Sequence, residues 1–406
     1  MNYQNTVEWL FARLPMYQKI GAKALNKSLL PTQNFLSHIG NPHHQFKSVH
    51  VAGTNGKGSV SSMIASVLQE QGYRVGLYTS PHLKDFRERI KINGEEISEQ
   101  AVIDFVEKHQ QYIEENTISF FELTVVMAFD YFAHQQTDIA VIEVGMGGRL
   151  DSTNVITPLL SVITNIGLDH TAVLGNTLAE IAGEKAGIIK PKIPVIIGEK
   201  HTETEKVFVQ IAQKNEASIY FAEDDNQTDL YQTDLKGNYQ QQNIRTVRTA
   251  LKILAQQINI NEKSIKEGLV NVVKNTKLLG RWQVLNESPL VVADTAHNAH
   301  GLQQTMQQVA QQDFDKLYIV LGVVDDKDLN TIVDYLPKTA YYLFVRPNVA
   351  RGLDAFVLSE KMRNYGFAGE VCSCVSAGYE EAMKLATKND MIYIGGSTFV
   401  VAEILK

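Results

Sequence analysis

Long hydrophobic runs, cysteine and surplus positive charge are all scarce in this 406-residue chain, and each scarcity excludes something. No apolar run approaches the roughly 18 residues of a membrane-crossing helix, so no membrane association is expected. Thirty-eight basic against 45 acidic residues give a formal charge of −7. The chain as a whole therefore offers nucleic acid or an anionic bilayer no attraction, and only a local basic pocket can serve an anionic ligand. Two cysteines, Cys372 and Cys374, are too few for a disulfide framework. Their C-x-C spacing in a short apolar stretch predicts packing thiols on one face of a strand. The opening MNYQNTVEWLFARL lacks the basic start, apolar centre and small-residue cleavage site of a secretory signal. A cytoplasmic protein is expected, and neither an internal repeat nor a targeting tail is visible.

What is present is an ordinary globular composition, 44% hydrophobic and 20% charged, with length for two or three domains. Helical patterns over residues 7–14 and 25–39 precede a strand at 46–52 that runs straight into GTNGKGSV. Val60, Ile64, Val67 and Leu68 then recur at helical spacing, and a strand at 74–78 follows Gly72. This is a βαβ unit, which implies parallel strands and a right-handed crossover. Helices at 99–112 and 123–133 and strands at 139–144 and 160–164 continue the pattern. A helix at 177–189 leads to a strand at 194–198, then to a polar stretch at 223–242 that reads as surface loops or hairpins. Helices resume over 242–273. After a break at Lys277–Arg281 a second α/β series begins, with strands at 290–293, 317–321, 341–345 and 391–394. A domain boundary is expected near Gly280, dividing the chain into residues 1–280 and 281–406.

Gly53, Thr54, Asn55, Gly56, Lys57, Gly58 and Ser59 sit between a strand and a helix. Backbone N–H groups and a helix N-terminus can surround a phosphate there, Lys57 adds a cation, and Ser59 can reach a bridging metal ion. The pattern departs from the usual P-loop: Val51 stands where the first glycine would be, and Gly58 separates Lys57 from Ser59. Other polar clusters also follow strands: Thr79-Ser80-Pro81-His82, Glu143, and the segment 165–170 ending in His170. Ligands of open parallel sheets bind outside the carboxyl ends of the strands, so these segments can converge. A hydroxyl, a carboxylate and an imidazole from Ser80, Glu143 and His170 suit an incompletely coordinated Mg²⁺, although an imidazole is a less usual ligand for it. Taken singly, Glu143 also reads as a strand-end carboxylate satisfied by backbone, and His170 as part of a capping turn.

The sequence resembles the folylpolyglutamate synthases and dihydrofolate synthases of the Mur ligase superfamily. GTNGKGS, YTSPHL with RERI, FFELTVVMAF, EVGMGGRLDSTN, NIGLDHTAVLG, AGEKAGIIKP, GRW, DTAHN and GGST occur in the family's order over nearly the whole chain. The resemblance implies an α/β architecture: a P-loop domain with a mostly parallel sheet, then a smaller Rossmann-like domain. It assigns Lys57 and its loop to the ATP phosphates, and Ser80, Glu143 and His170 to two Mg²⁺ sites. It makes Lys185 a candidate for carbamylation, which would turn a repelling ammonium into an anionic metal ligand. Pro81 and His82 fall in the family's mobile loop over the folate pocket, Arg281 is expected to reach the ATP phosphates, and Asn243 to lie near the adenine. This chain has Leu279-Gly280-Arg281 where the family usually has Pro-Gly-Arg. Asp294, His297 and Ser397 resemble the residues that meet nucleotide and incoming glutamate, with His297 facing the amine and Asp294 orienting it.

The implied activity is ATP-dependent addition of L-glutamate to dihydropteroate, to a reduced folate, or to both, through an acyl phosphate. Domain closure is expected to keep water from that intermediate, and the enzyme is expected to be a monomer acting only on small molecules. A rival is a Mur-type ligase using a UDP-linked peptidoglycan precursor, but about 50 residues before Gly53 leave little room for a UDP-binding domain. A nucleotide switch without ligase chemistry is a second rival; DTAHN and GGST argue against it.

Overall fold

The computed structural model describes residues 2–16, 26, 28–225, 231–325 and 327–405. Strands β1 Lys47–Ala52, β2 Val75–Tyr78, β3 Ile90–Ile92, β4 Glu95–Glu96, β5 Ile139–Glu143, β6 Leu160–Ile163, β7 Val195–Ile197 and β8 Ile219–Phe221 form one sheet. Its order is β4-β3-β2-β5-β1-β6-β7-β8. All neighbours from β2 to β8 pair parallel, and only β3 and β4 run antiparallel to their neighbours. The residues of β2, β5 and β6 are buried throughout, as are those of β1 beyond Lys47. Such runs belong to parallel strands covered by helices on both faces.

The helix Lys57–Glu70 is buried from Gly58 to Leu68. It can approach the helix Glu262–Val270 closely because Gly268 has no side chain: a Cβ there would lie 2.5 Å from Val67 Cα. Ser66 Oγ uses this proximity to donate to Gly268 O at 2.6 Å. The helix Phe120–His134 starts on a capping box, in which Glu122 N donates to Ser119 Oγ and Ser119 N donates to Glu122 Oε2. Its Phe129 and Phe132 are wholly buried, each contributing about 2–3 kcal/mol of apolar burial.

A second sheet contains β9 Gln283–Glu287, β10 Leu290–Ala293, β11 Leu317–Leu321, β12 Tyr341–Phe344, β13 Gly369–Val371 and β14 Met391–Gly395. Its order is β13-β12-β11-β14-β10-β9, parallel except for β9. No helix among the described residues is long and apolar enough to cross a membrane.

The chain divides into two compact units, Met1–Asp234 with Gln240–Leu278, and Leu235–Tyr239 with Leu279–Lys406. The division is therefore not the single cut near Gly280 that the composition suggests. A strap of five residues, Leu235–Tyr239, belongs to the later unit. Asn238 N donates to Gln308 Oε1 at 2.6 Å, Gln308 Nε2 donates to Lys236 O at 3.1 Å, and Tyr239 Oη donates to Asp294 Oδ2 at 2.7 Å.

Four other readings need correction or completion. The polar stretch 223–242 is not all surface loop, since Leu235 and Gln240 are buried and a helix begins at Gln240; residues 226–230 lie outside the described ones. The helix expected over 25–39 spans Leu30–His38, and residues 25 and 27 lie outside the described ones. The helix Thr202–Lys214, a further element, links β7 to β8. Cys372 and Cys374 do not share a strand face: β13 stops at Val371, and exposed Cys374 caps the helix Val375–Leu385, its Sγ accepting from Ala377 N.

Candidate active site

The order β2-β5-β1-β6 makes the four strands with polar carboxyl ends consecutive neighbours. The phosphate loop follows β1, in the middle of this group. Gly53 has φ 148°, and a Cβ there would lie 1.8 Å from Thr164 Oγ1; Gly56 has φ 83°, and its Cβ would lie 2.4 Å from Asn243 Oδ1. Both glycines are thus required by space as well as by backbone conformation. The loop after β6 holds the phosphate loop in place. Thr54 N donates to Asn165 O at 2.9 Å, Asn55 N to Asn165 Oδ1 at 2.8 Å, and Thr54 Oγ1 and Gly167 N meet at 3.0 Å.

Lys57 Nζ donates to the carbonyls of Gly53 and Thr54, each at 3.1 Å. Lys185, at the end of the helix Leu178–Lys185, is buried and donates from Nζ to the same Gly53 carbonyl at 2.9 Å. Burial, and then the charge of Lys57, hold its pKa down to about 7, while Asp169 and Asp151 pull the other way.

Ser80 and Glu143 come together across the neighbouring ends of β2 and β5, where Ser80 N donates to Glu143 Oε2 at 3.1 Å. The Glu143 residue is 4% exposed. His170 stands in left-handed backbone at the start of the short helix Thr171–Leu174, its N bonded to Asp169 Oδ1 at 3.0 Å. Among the described residues, no three His, Cys, Asp or Glu side chains gather as a ready metal cage. The Glu143 carboxylate and the hydroxyls of Ser59 and Ser80 are oxygen donors of the kind Mg²⁺ takes alongside waters and phosphate oxygens.

Ser59 is buried and accepts from Gln240 Nε2 at 3.1 Å, while Asn243 Nδ2 donates to Gln240 Oε1 at 2.7 Å. Asn243 therefore lies against the phosphate loop at Gly56 and is chained to Ser59 through Gln240. The sequence pattern does not single out Gln240, because one glutamine in a polar run carries no local signal.

The segment expected to be a mobile loop is heavily hydrogen-bonded. Glu88 accepts from the amides of Leu83, Lys84 and Asp85 at 2.7, 2.7 and 2.8 Å. The Ser80–Pro81 peptide is cis. His82 stacks on Phe11, and its Nδ1 accepts from Arg89 Nε at 2.7 Å. Burial, then Arg89, push the His82 pKa down to about 3. Arg89, itself buried, lies over Phe120 at 5.4 Å. The sequence does not reveal that the second arginine of RERI points inward.

In the later unit Asp294 follows β10 and is 3% exposed. Its Oδ2 accepts from Tyr239 Oη and Trp282 N at 2.7 Å each, and its Oδ1 accepts from Ala296 N at 2.8 Å. Burial raises its pKa, opposed by these donors and by Arg281. Arg281 donates from Nη1 to Thr295 Oγ1 and to Gly280 O. His297 Nδ1 lies 2.9 Å from Thr295 O. A carbonyl can only accept, so Nδ1 is the donor in this contact. Ser397 caps the helix Thr398–Ile404 through Phe399 N at 3.1 Å.

Profiles of two Mur ligase domains match, the Mur ligase middle domain over residues 51–287 and the Mur ligase glutamate ligase domain over 280–398. A dihydrofolate synthase/folylpolyglutamate synthase of Bacillus subtilis is 32% identical, covering 100% of this chain and 98% of that one. A probable bifunctional folylpolyglutamate synthase/dihydropteroate synthase of Haloferax volcanii is 33% identical over 99% of this chain; the chain spans about half of it, 50%. A crystal structure of a bifunctional folylpolyglutamate synthase/dihydrofolate synthase with Mn, AMPPNP and L-glutamate bound superposes with TM-score 0.86 at 25% identity, covering 100% of this chain and 97% of that one. The middle-domain match alone takes in more than half of the chain, so this protein belongs to the Mur ligase superfamily, among its folylpolyglutamate and dihydrofolate synthases.

Proposed function

We propose that the chain is an ATP-dependent amide ligase that adds L-glutamate both to dihydropteroate and to the glutamate tail of reduced folates, through an acyl phosphate. The observation that carries this reading is the phosphate loop set between the Ser80–Glu143 pair and the loop of Asn165 and His170. The loop amides and Lys57 bind the phosphates of ATP, with Lys57 exchanging its two loop carbonyls for phosphoryl oxygens. The substrate carboxylate attacks the γ-phosphorus and ADP leaves. The neutral amine of glutamate then attacks the acyl carbon, phosphate departs with the C–O electron pair, and Nε2 of His297 takes the amine proton. Asp294, whose oxygens already hold Tyr239, Trp282 and Ala296, keeps the His297 turn in place rather than meeting the amine itself.

Glu143, Ser59, Ser80 and His170 are the residues that would hold Mg²⁺, which supplies neutralising charge at the phosphoryl oxygens when bound. Lys185 combines burial with the Lys57 ammonium beside it, which favours its neutral amine; that amine adds to CO₂, its N–H proton leaves to solvent, and the resulting carbamate is an anionic oxygen donor in place of a repelling cation. We assign it as a carbamylated ligand, detectable as added CO₂ mass in the intact protein.

The test supplies purified protein, ATP, Mg²⁺ and labelled glutamate with either dihydropteroate or tetrahydrofolate. Transfer to both is expected. Transfer to only one narrows the enzyme to a single activity, and transfer to neither ends the ligase reading.

A further inference from the structure

His50 lies within β1, wholly buried, and the ligation chemistry above gives it no task. Its Nε2 stands 2.8 Å from Thr153 Oγ1, and its Nδ1 has no hydrogen-bond partner. Thr153 Oγ1 in turn lies 2.5 Å from Asp151 Oδ1. Asp151 also accepts from Thr153 N at 3.0 Å and from Met146 N at 2.9 Å.

Counting protons fixes the direction of this chain. A threonine hydroxyl has one proton. Asp151, ringed by amide donors, is the natural acceptor for it, so Thr153 Oγ1 can only accept from His50. The ring must then carry its proton on Nε2, leaving a bare lone pair at Nδ1. The reverse direction would leave an N–H buried without an acceptor, and an orphaned buried donor is the rarer arrangement.

The relay ends at Asp151, and residues beside it in sequence are tied to the helix that carries Lys185 and to the turn just after it. Asn154 Nδ2 donates to Arg149 O and Gly187 O, both at 3.1 Å, and Arg149 N donates to Glu184 O at 2.8 Å. Gly148 is packed so tightly that a Cβ would lie 2.7 Å from Lys185 O. Lys185 Nζ then reaches the carbonyl of Gly53, which belongs to the same strand-loop segment as His50.

The geometry points to His50 as a positioning residue for the ligation: through Thr153 and Asp151 it sets where Lys185 stands against the phosphate loop. The phosphate loop itself is anchored separately, by Asn165 and Gly167. Breaking the relay therefore acts on turnover and spares nucleotide binding. The kinetic part of this inference rests on the proposed ligase activity; the ring tautomer does not.

Two measurements test it. Ring ¹⁵N spectra of the folded protein at neutral pH, with the His50 signals assigned by their loss in His50→Gln, should show a protonated Nε2 and an unprotonated Nδ1. A proton on Nδ1 overturns the relay, whether or not the protein ligates glutamate. In glutamate-dependent phosphate release, Thr153→Val, which keeps the shape and removes the hydroxyl, and His50→Leu should each lower kcat about tenfold. KM for ATP should stay within about twofold. Thr153→Ser, and His50→Gln with its amide nitrogen near the place of Nε2, should recover most of the loss. Full turnover in Thr153→Val, or parallel loss of turnover and ATP affinity, overturns the assignment. If the wild-type protein transfers no glutamate, the ligase reading fails and the tautomer alone decides the relay.

Discussion

Lys57 and Lys185 share one acceptor: both ammonium groups donate to the carbonyl oxygen of Gly53, at 3.1 and 2.9 Å. Burial, and then the charge of Lys57, lower the Lys185 pKa, which eases the crowding. Lys57→Met should therefore abolish glutamate transfer, weaken ADP binding at least tenfold, and leave the fold intact, its thermal midpoint moving by no more than a few degrees. Calorimetric titration with ADP checks this; unchanged ADP affinity would remove Lys57 from the phosphate site.

Gly53 and Gly56 differ in what opposes a side chain. At Gly53 the obstacle is Thr164 Oγ1 at 1.8 Å; at Gly56 it is the side chain of Asn243 at 2.4 Å. Gly53→Ala should lose ligation outright. Gly56→Ala should also be impaired, but combining it with Asn243→Gly should restore part of the ATP affinity, with about 1 kcal/mol of backbone strain remaining. Purely additive losses in the double variant would show that Asn243 is not the obstacle.

His109 is buried beside Phe35 and Phe105, and its Nε2 has no partner. Burial, then Lys108 and His38, lower its pKa from 6.5 to about 4. Between those values the unfolded chain binds the proton and the folded one does not, so stability falls as pH drops from 6.5 toward 4 and is unaffected above that window. His109→Phe should remove this dependence, gaining about 1–2 kcal/mol at pH 5 relative to its effect at pH 7. Urea unfolding at the two pH values provides the measurement, and equal effects at both would contradict the account.

Tyr239→Phe deletes one donor to the buried Asp294 and should destabilise the later unit by about 1–2 kcal/mol. Asp294→Asn should cost more, because its amide must set N–H groups against either Trp282 N or Ala296 N. Thermal melts that rank the two variants in the opposite order would disprove this.

Much of the sheet edge that carries the candidate site is legible because parallel strands covered on both faces advertise themselves as short apolar runs, and the polar residues just beyond them are conspicuous. The phosphate loop, Ser80, Glu143 and His170 stand out in that way. Hidden from the sequence was the strand order that seats β5 between β2 and β1 and so brings Ser80 N to Glu143. Gln240 and the His50–Thr153–Asp151 chain were equally hidden, since Ser59 and Thr153 lie far along the sequence from Gln240 and His50. The cysteine reading failed for a local reason. An apolar C-x-C run suits a strand, but the chain turns after Val371 and uses Cys374 to start a helix.

The strap Leu235–Tyr239 has a consequence for anyone who would cut or recombine this protein. Neither unit is one uninterrupted length of chain. A fragment ending at Leu278 would carry the five strap residues without Gln308 and Asp294. A fragment starting at Leu279 would keep a buried aspartate deprived of the Tyr239 hydroxyl. Exchanging the later half with that of a relative therefore means transplanting two separate pieces, one of them only five residues long and interrupting the sequence of the half that stays behind.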